Sequence, residues 1–251
     1  MADSSKRSST VRARAAGSRR PARQSSAAGK PRAAAQALLP QGDVTLTDRA
    51  YAELEELIVT LQLPPGTALS ELVLAKRLDI GRTPIREALQ RLSRDGLVNI
   101  LARRGVLVSE IDLRAQLRLL EVRRELERLM ARGAAERATS EQRAQFSEIA
   151  AGMRRAAEKS DDLLFIRLDH QFNTLISAAS RNEFASRAMG LMHGLSRRFW
   201  YQHYKEAADL PLAARLHADV AEAIAERRVD AAGAASDSLI DYIESFARST
   251  L

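Results

Sequence analysis

Residues 70–108 read SELVLAKRLDIGRTPIREALQRLSRDGLVNILARRGVLV, and few folds satisfy that order of signals. Ser70 stands where it can cap a helix from Glu71 to Leu78, in which Leu74, Ala75 and Leu78 fall at helical spacing. Asp79-Ile80-Gly81 interrupts it, with Gly81 suited to the turn. A second helix is predicted to open at Thr83-Pro84: Thr83 can accept from the first free amides, and Pro84 falls where a missing amide costs nothing. Ile85, Ala88, Leu89 and Leu92 make its apolar face, and Arg82, Arg86 and Gln90 lie off it. Gly96 ends this helix, and Val98-Asn99-Ile100 and Val106-Leu107-Val108 flank Arg103-Arg104-Gly105, the pattern of a hairpin tipped by two arginines.

Helix, tight turn, helix and wing in that order point to DNA binding. A helix fits the major groove, and long basic or amide side chains near its start can reach base edges and phosphates. An arginine-tipped hairpin can reach an adjacent groove or the backbone. A plain helical hairpin with solvated charges would explain the apolar face alone. It would not explain why turn, cap, arginine placement and wing all agree.

Upstream, residues 46–61 place Leu46, Ala50, Leu54, Leu57, Ile58 and Leu61 on one face, with Thr47 as a cap. That is a helix to pack behind the DNA-reading pair. Leu63-Pro64-Pro65-Gly66-Thr67 is the turn that ends it, and Ala68-Leu69 can add a short strand to the wing.

Charge is uneven along the 251 residues. Residues 1–42 hold nine of the 39 Lys and Arg but one of the 32 acidic residues, so the remainder is near neutral. The net charge of +7 therefore belongs to this segment and says little about nucleic acid by itself. The segment is rich in Ser, Ala, Arg and Gly and has no aromatic residue, which predicts a disordered basic arm. Such an arm either adds salt-dependent affinity for phosphates or is an inert extension. The absence of cysteine excludes disulfides and thiolate zinc sites. No apolar run is long enough to span a bilayer and no secretory leader is visible, so a cytoplasmic protein without membrane contact is expected.

After Val108 nearly every segment has helical periodicity: 113–137, 140–158 with Ser140 as cap, 161–179, 182–204, 212–227 and 230–248. Six helices with short links predict an antiparallel bundle without a sheet. The expected fold is therefore mainly α. A winged helix-turn-helix domain (43–111) with a small β wing precedes an all-helical bundle (112–251) that binds an effector and dimerises.

LPPGTALSE, LAKRL, GRTPIREALQRLSRDGLV and the wing together resemble the DNA-binding domain of GntR-family bacterial transcription regulators. The remainder resembles the helical FCD effector domain of the FadR branch. The likeness runs from Thr45 to Leu251 and is most specific over Leu63 to Val108. It implies that Arg82, Thr83, Pro84, Arg86 and Gln90 face the operator, with Arg103, Arg104 and Gly105 working from the wing. Some relatives carry an arginine just after the glutamate that opens the first helix of the motif; Leu72 stands there, so that contact is expected to be missing.

In the bundle, Asp169 and Asn173 are four residues apart and share a helix face; His217 opens the face of a later helix, and Asp237 and Asp241 lie on the last. FCD-type domains bind a divalent metal through a carboxylate, a histidine four residues on, and one histidine in each of two later helices. The resemblance aligns Asp169 and His217 with that set and puts Asn173 where the second ligand would be a histidine. The last position falls on Asp241 when counted from the start of its helix and on Leu239 when counted from His217. Asp169, Asn173, His217 and Asp241 would favour an oxygen-loving divalent ion such as Mg, Mn or Ca over zinc. If the ion has been lost, the same residues would hold an effector by hydrogen bonds. Arg197-Arg198-Phe199-Trp200-Tyr201-Gln202-His203-Tyr204 concentrates four of the eleven aromatic residues. Trp200 and Tyr204 are thus candidates for core, pocket wall or dimer contact. Arg123 and Arg198 can pair with a carboxylate in two-pronged geometry, and the resemblance implies a small organic acid as effector. His170 and His193 read as surface or packing residues.

These features predict a homodimeric, ligand-responsive regulator on an inverted-repeat operator, not an enzyme, and the resemblance implies that it is a repressor. The rivals are a DNA-binder whose bundle only dimerises and a bundle metalloenzyme with a DNA-binding head. HExxH, paired Glu-x-x-His and Gly-rich phosphate motifs are all absent, which counts against the enzyme.

Overall fold

The structure is a computed structural model that describes residues 45–103 and 105–250. The basic segment 1–42 and Arg104 lie outside the described residues. The head comprises α1 (Leu46–Val59), β1 (Ala68–Leu69), α2 (Glu71–Leu78), α3 (Arg82–Arg94), β2 (Val98–Leu101) and β3 (Gly105–Val108). Thr45, not Thr47, caps α1 by accepting from the Asp48 amide at 3.1 Å. The Thr47 hydroxyl instead donates to Glu87 of α3 at 2.7 Å. Ala50, Leu54 and Ile58 of α1 are fully buried against Ile85, Ala88, Leu89 and Leu92 of α3, the apolar face expected from the sequence.

The turn differs from expectation in which residue bends. Asp79 takes the left-handed conformation (φ +55°) that closes α2, as short polar residues can, whereas Gly81 is extended (φ −60°) and serves as the N-cap of α3. Helix α3 therefore starts at Arg82, and Thr83 does not cap it. Pro84 still sits in the first turn, where amides have no partner inside the helix. Ser70 precedes α2 without a side-chain cap bond. The sheet has the order β1-β3-β2, all antiparallel, with Ala68 opposite Leu107 and Ile100 opposite Val106. Gly105, at φ +92°, makes the wing turn.

The bundle comprises α4 (Leu113–Arg137), α5 (Ser140–Lys159), α6 (Asp162–Ser180), α7 (Glu183–Ala207), α8 (Leu210–Ala225) and α9 (Val229–Arg248). Among the described residues after Val108 there is no strand. Asp112, Asp161, Asn182 and Asp209 each cap the helix that follows. Thr139, not Ser140, caps α5, in a reciprocal box with Gln142. Helix α4 packs on α9 and α6, and α5 packs on α8 and α6. Phe146, Met153 and Ile224 are fully buried there, each contributing about 1.5–3 kcal/mol of apolar burial. No described helix is long and apolar enough to cross a membrane.

Helix α7 touches both parts. Gly194 lets it approach the head so closely that an added Cβ would lie 2.8 Å from Leu97 Cδ1. One turn on, Arg197 pairs with Glu56 of α1 at 3.2 Å.

Candidate DNA-reading face and effector cavity

The exposed face of α3 carries Arg82, Thr83, Arg86 and Gln90, with Pro84 half-buried beneath them. The helical period that buries Ile85, Ala88 and Leu89 turns these residues outward. Arg86 donates from Nε and Nη2 to the two oxygens of Glu71, each at 2.8 Å, and Arg82 approaches the same carboxylate at 3.5 Å. Hydrogen bonding from Arg86 holds the Glu71 carboxyl below its usual range. Glu71, at the start of α2, thus orients the two guanidinium groups. Leu72 beside it is exposed. Arg103 and Gly105 form the exposed wing tip, and Arg103 also takes a positive φ of 61°.

The second site is a cavity of about 300 Å³ among α4, α6, α7, α8 and α9. Asn173, Ser177, Ser186 and His193 give it polar groups; Met130, Phe172, Met189 and Leu239 are among its apolar walls. Of the residues expected around an effector, Asn173 lines this cavity. Asp169 and His217 lie behind it as a bonded pair: His217 Nε2 is 3.1 Å from Asp169 Oδ1, and Asn173 donates to the same oxygen at 3.0 Å. His217 Nδ1 donates to the Ala213 carbonyl at 2.8 Å. Phe165 and Phe172 each make a T-shaped contact with the imidazole, at 5.5 and 5.7 Å between ring centroids. Burial alone would push the Asp169 carboxyl up, but the His217 hydrogen bond and charge outweigh it and bring it to about 2. Burial likewise pushes His217 down, and Asp169 reverses the sign and raises it.

The other expected residues are engaged elsewhere. Arg198 is buried at the base of the head, donating to the Ser109 carbonyl (2.9 Å), Ser109 Oγ (3.0 Å) and the Glu110 carbonyl (3.1 Å), while its Nε has no partner. It pins the connection between head and bundle and does not face the cavity. Trp200 and Tyr204 pack into the core beside Phe165 and Phe246, so the aromatic segment is core. Arg123 is buried, but its charge is met one turn along α4 by Glu127, at 2.5 Å. Both guanidiniums expected to bind a carboxylate therefore have other partners.

Nor do the residues present fit the metal that the family pattern implies. Asp241 points outward and pairs with Arg124 at 2.7 Å; Asp237 pairs with Arg128 at 2.8 Å. The position that faces the cavity is Leu239, an apolar side chain. Both ring nitrogens of His217 already donate, to a carbonyl and to a carboxylate, and offer no lone pair. Among the described residues, no three His, Asp or Glu side chains gather in a way that could hold an ion.

His170, His193 and Glu127 also line the cavity, although the two histidines read from the sequence as surface or packing residues. One signal was present: Ser186, Met189, Gly190 and His193 fall at i, i+3, i+4 and i+7, which puts them on one stripe of α7. Burial pushes the His193 imidazole down to about 4.

Comparison with known proteins accounts for both parts. The family described as bacterial regulatory proteins, gntR family, matches residues 46–108, and the FCD domain matches residues 118–242. The HTH-type transcriptional repressor RspR of Escherichia coli (strain K12) is 29% identical over 187 residues, 74% of this chain and 82% of its own. The Nta operon transcriptional regulator of Aminobacter aminovorans is 26% identical over 172 residues, 68% of this chain and 80% of its own. The solved structure of E. coli McbR/YncC superposes with a TM-score of 0.72 at 20% identity, covering 82% of this chain and 99% of that one, and so shares the fold. With its winged head and FCD bundle, this chain belongs to the GntR family of bacterial regulators and is a transcriptional regulator.

Proposed function

We propose that the chain is a ligand-controlled repressor of the FadR branch that binds an inverted-repeat operator as a homodimer. The observation that carries this reading is the outward face of α3, where Glu71 holds Arg86 and Arg82 extended beside Thr83 and Gln90. A guanidinium already held in a fork is preorganised for the paired acceptors of a guanine edge. Control passes through α7, which contributes Ser186, Met189, Gly190 and His193 to the cavity and Arg197 and Arg198 to the head. A ligand that fits one placement of α7 better than another changes the spacing of two heads across a dimer; equal fit would shift nothing.

Selection of duplexes from a random pool by the full-length protein tests the reading. The expected result is an enriched motif with two symmetric half-sites about one helical turn apart. Enrichment of no motif at low ionic strength overturns it. In a reporter strain, the operator should be silenced by the regulator; activation would reverse the assigned sign while leaving DNA recognition intact.

A further inference from the structure

We infer that the cavity takes an uncharged small molecule with an apolar body and one hydrogen-bonding end, and takes it without a metal ion. The inference rests on the cavity being the effector site and adds the chemical class of its ligand. It follows first from the charges. Arg123 is paired with Glu127 at 2.5 Å and Asp169 with His217 at 3.1 Å, so the ionised groups at and behind the wall cancel in pairs. An anion entering would be neutralised only if Arg123 left Glu127 or His217 left Asp169, since among the described lining residues there is no Lys or Arg. A cation would need one of those carboxylates to abandon its present partner. Burying an unpaired charge is costly, whereas a neutral molecule needs only its hydrogen bonds met.

The lining supplies those bonds. Asn173, Ser177 and Ser186 offer amide and hydroxyl groups, and His193 makes no hydrogen bond among the described residues, leaving its ring free for a ligand. Met130, Met189 and Phe172 form the opposite character, thioethers and a ring that pack well on an aromatic body. About 300 Å³ is the low end for a ligand pocket and suits a single-ring compound. A metal-chelated acid, the other way to place a carboxylate here, lacks its ligands: Leu239 occupies the position where a donor would have to stand, and His217 has no free lone pair.

Benzamide and benzoate share one shape and differ in charge, which makes them the probes. The full chain is titrated with each at matched ionic strength, by calorimetry and by saturation-transfer NMR, and separately with Zn²⁺ and with Mn²⁺ alone. Benzamide is expected to saturate, benzoate to bind at least tenfold more weakly, and neither ion to saturate. Gly190→Leu supplies the control. Gly190 lines the cavity and is exposed, and a Cβ there meets nothing within 4 Å, so leucine is accommodated without a clash at the cavity's edge and should cut benzamide binding at least tenfold while helicity is unchanged. Benzoate binding as tightly as benzamide, a saturable ion, no benzamide binding, or binding unaltered in Gly190→Leu would each overturn the inference. None of these outcomes touches operator selection, so failure of the ligand class and failure of the DNA reading are told apart.

Discussion

The reading face of α3 and the cavity of the bundle are built in opposite ways. The first is local: its principal residues fall within positions 82–90 of one helix, and Glu71 at the start of the preceding helix sets the direction of Arg82 and Arg86. The second is assembled from five helices, with lining residues scattered from Glu127 to Leu239. A local site inherits its geometry from the helical period. An assembled site depends on the register of every contributing helix, and each residue of slip turns a side chain by about 100°. The two-residue ambiguity between Leu239 and Asp241 therefore spans about 200°, which separates a buried cavity wall from an ion pair on the outside.

Arg198 gives the largest expected effect and tests whether the two regions are mechanically joined. Its guanidinium fills the Ser109 carbonyl and hydroxyl and the Glu110 carbonyl in a buried setting. Arg198→Ala leaves the Ser109 and Glu110 carbonyls without this donor, while Ser109 Oγ keeps its bond to the Gly96 carbonyl, and opens a cavity, at an expected cost of about 3 kcal/mol in denaturant unfolding. Lysine, with one point charge in place of the fork, should recover less than half of that. A loss under about 1 kcal/mol would show that the joint is held by something else.

Gly194→Val tests the same joint from the packing side. The new Cβ falls 2.8 Å from Leu97 Cδ1 and 3.2 Å from Glu55 Oε1, and Leu97 is itself buried in the head core. Overpacking of this kind costs about 1–3 kcal/mol, more than the few tenths that valine gains over glycine in a helix. Stability equal to the parent would mean that head and bundle separate freely at α7. The reading face should respond in affinity alone. Arg86→Ala is expected to weaken the selected operator about 10- to 100-fold and to relax preference at one base pair, as measured against random duplex at fixed salt. An equal loss on every sequence would make Arg86 a phosphate contact.

The contrast also explains what was legible in the sequence. The apolar face of α3, the wing pairing and the six bundle helices all follow from spacing within single segments, and these stand as read. Local detail failed where two short polar residues competed for one job, as with Thr45 against Thr47 and Thr139 against Ser140. Asp79 replaced Gly81 at the bend because an aspartate tolerates left-handed backbone. The bundle misled more seriously. A buried arginine can be a ligand clamp or a joint, and the sequence around Arg198 is the same for both. Its role is set by Ser109 and Glu110, far away in the chain. Asp169 and His217 were brought together correctly, but their bond to each other consumes the groups a metal would need.

The smallest effect bears on the histidine that the sequence left out. His193 is pushed down to about 4, mainly by burial, with Arg123, Arg197 and His170 adding repulsion and Asp169 opposing. Its folded-state value thus lies below the unfolded one, so its neutral form supports the fold above about pH 6.5 and that support fades as pH falls towards 4. His217 has the opposite sign: raised by Asp169, it supports the fold in acid and loses that contribution as pH rises through its own elevated value. The two slopes overlap in the whole protein, and His193→Gln separates them. Between pH 7 and 5.5 the parent should lose about 1 kcal/mol more than the variant in paired urea unfolding. Identical slopes would return His193 to the solvent-facing side of α7, and the cavity wall would then lose the imidazole that has no hydrogen bond among the described residues.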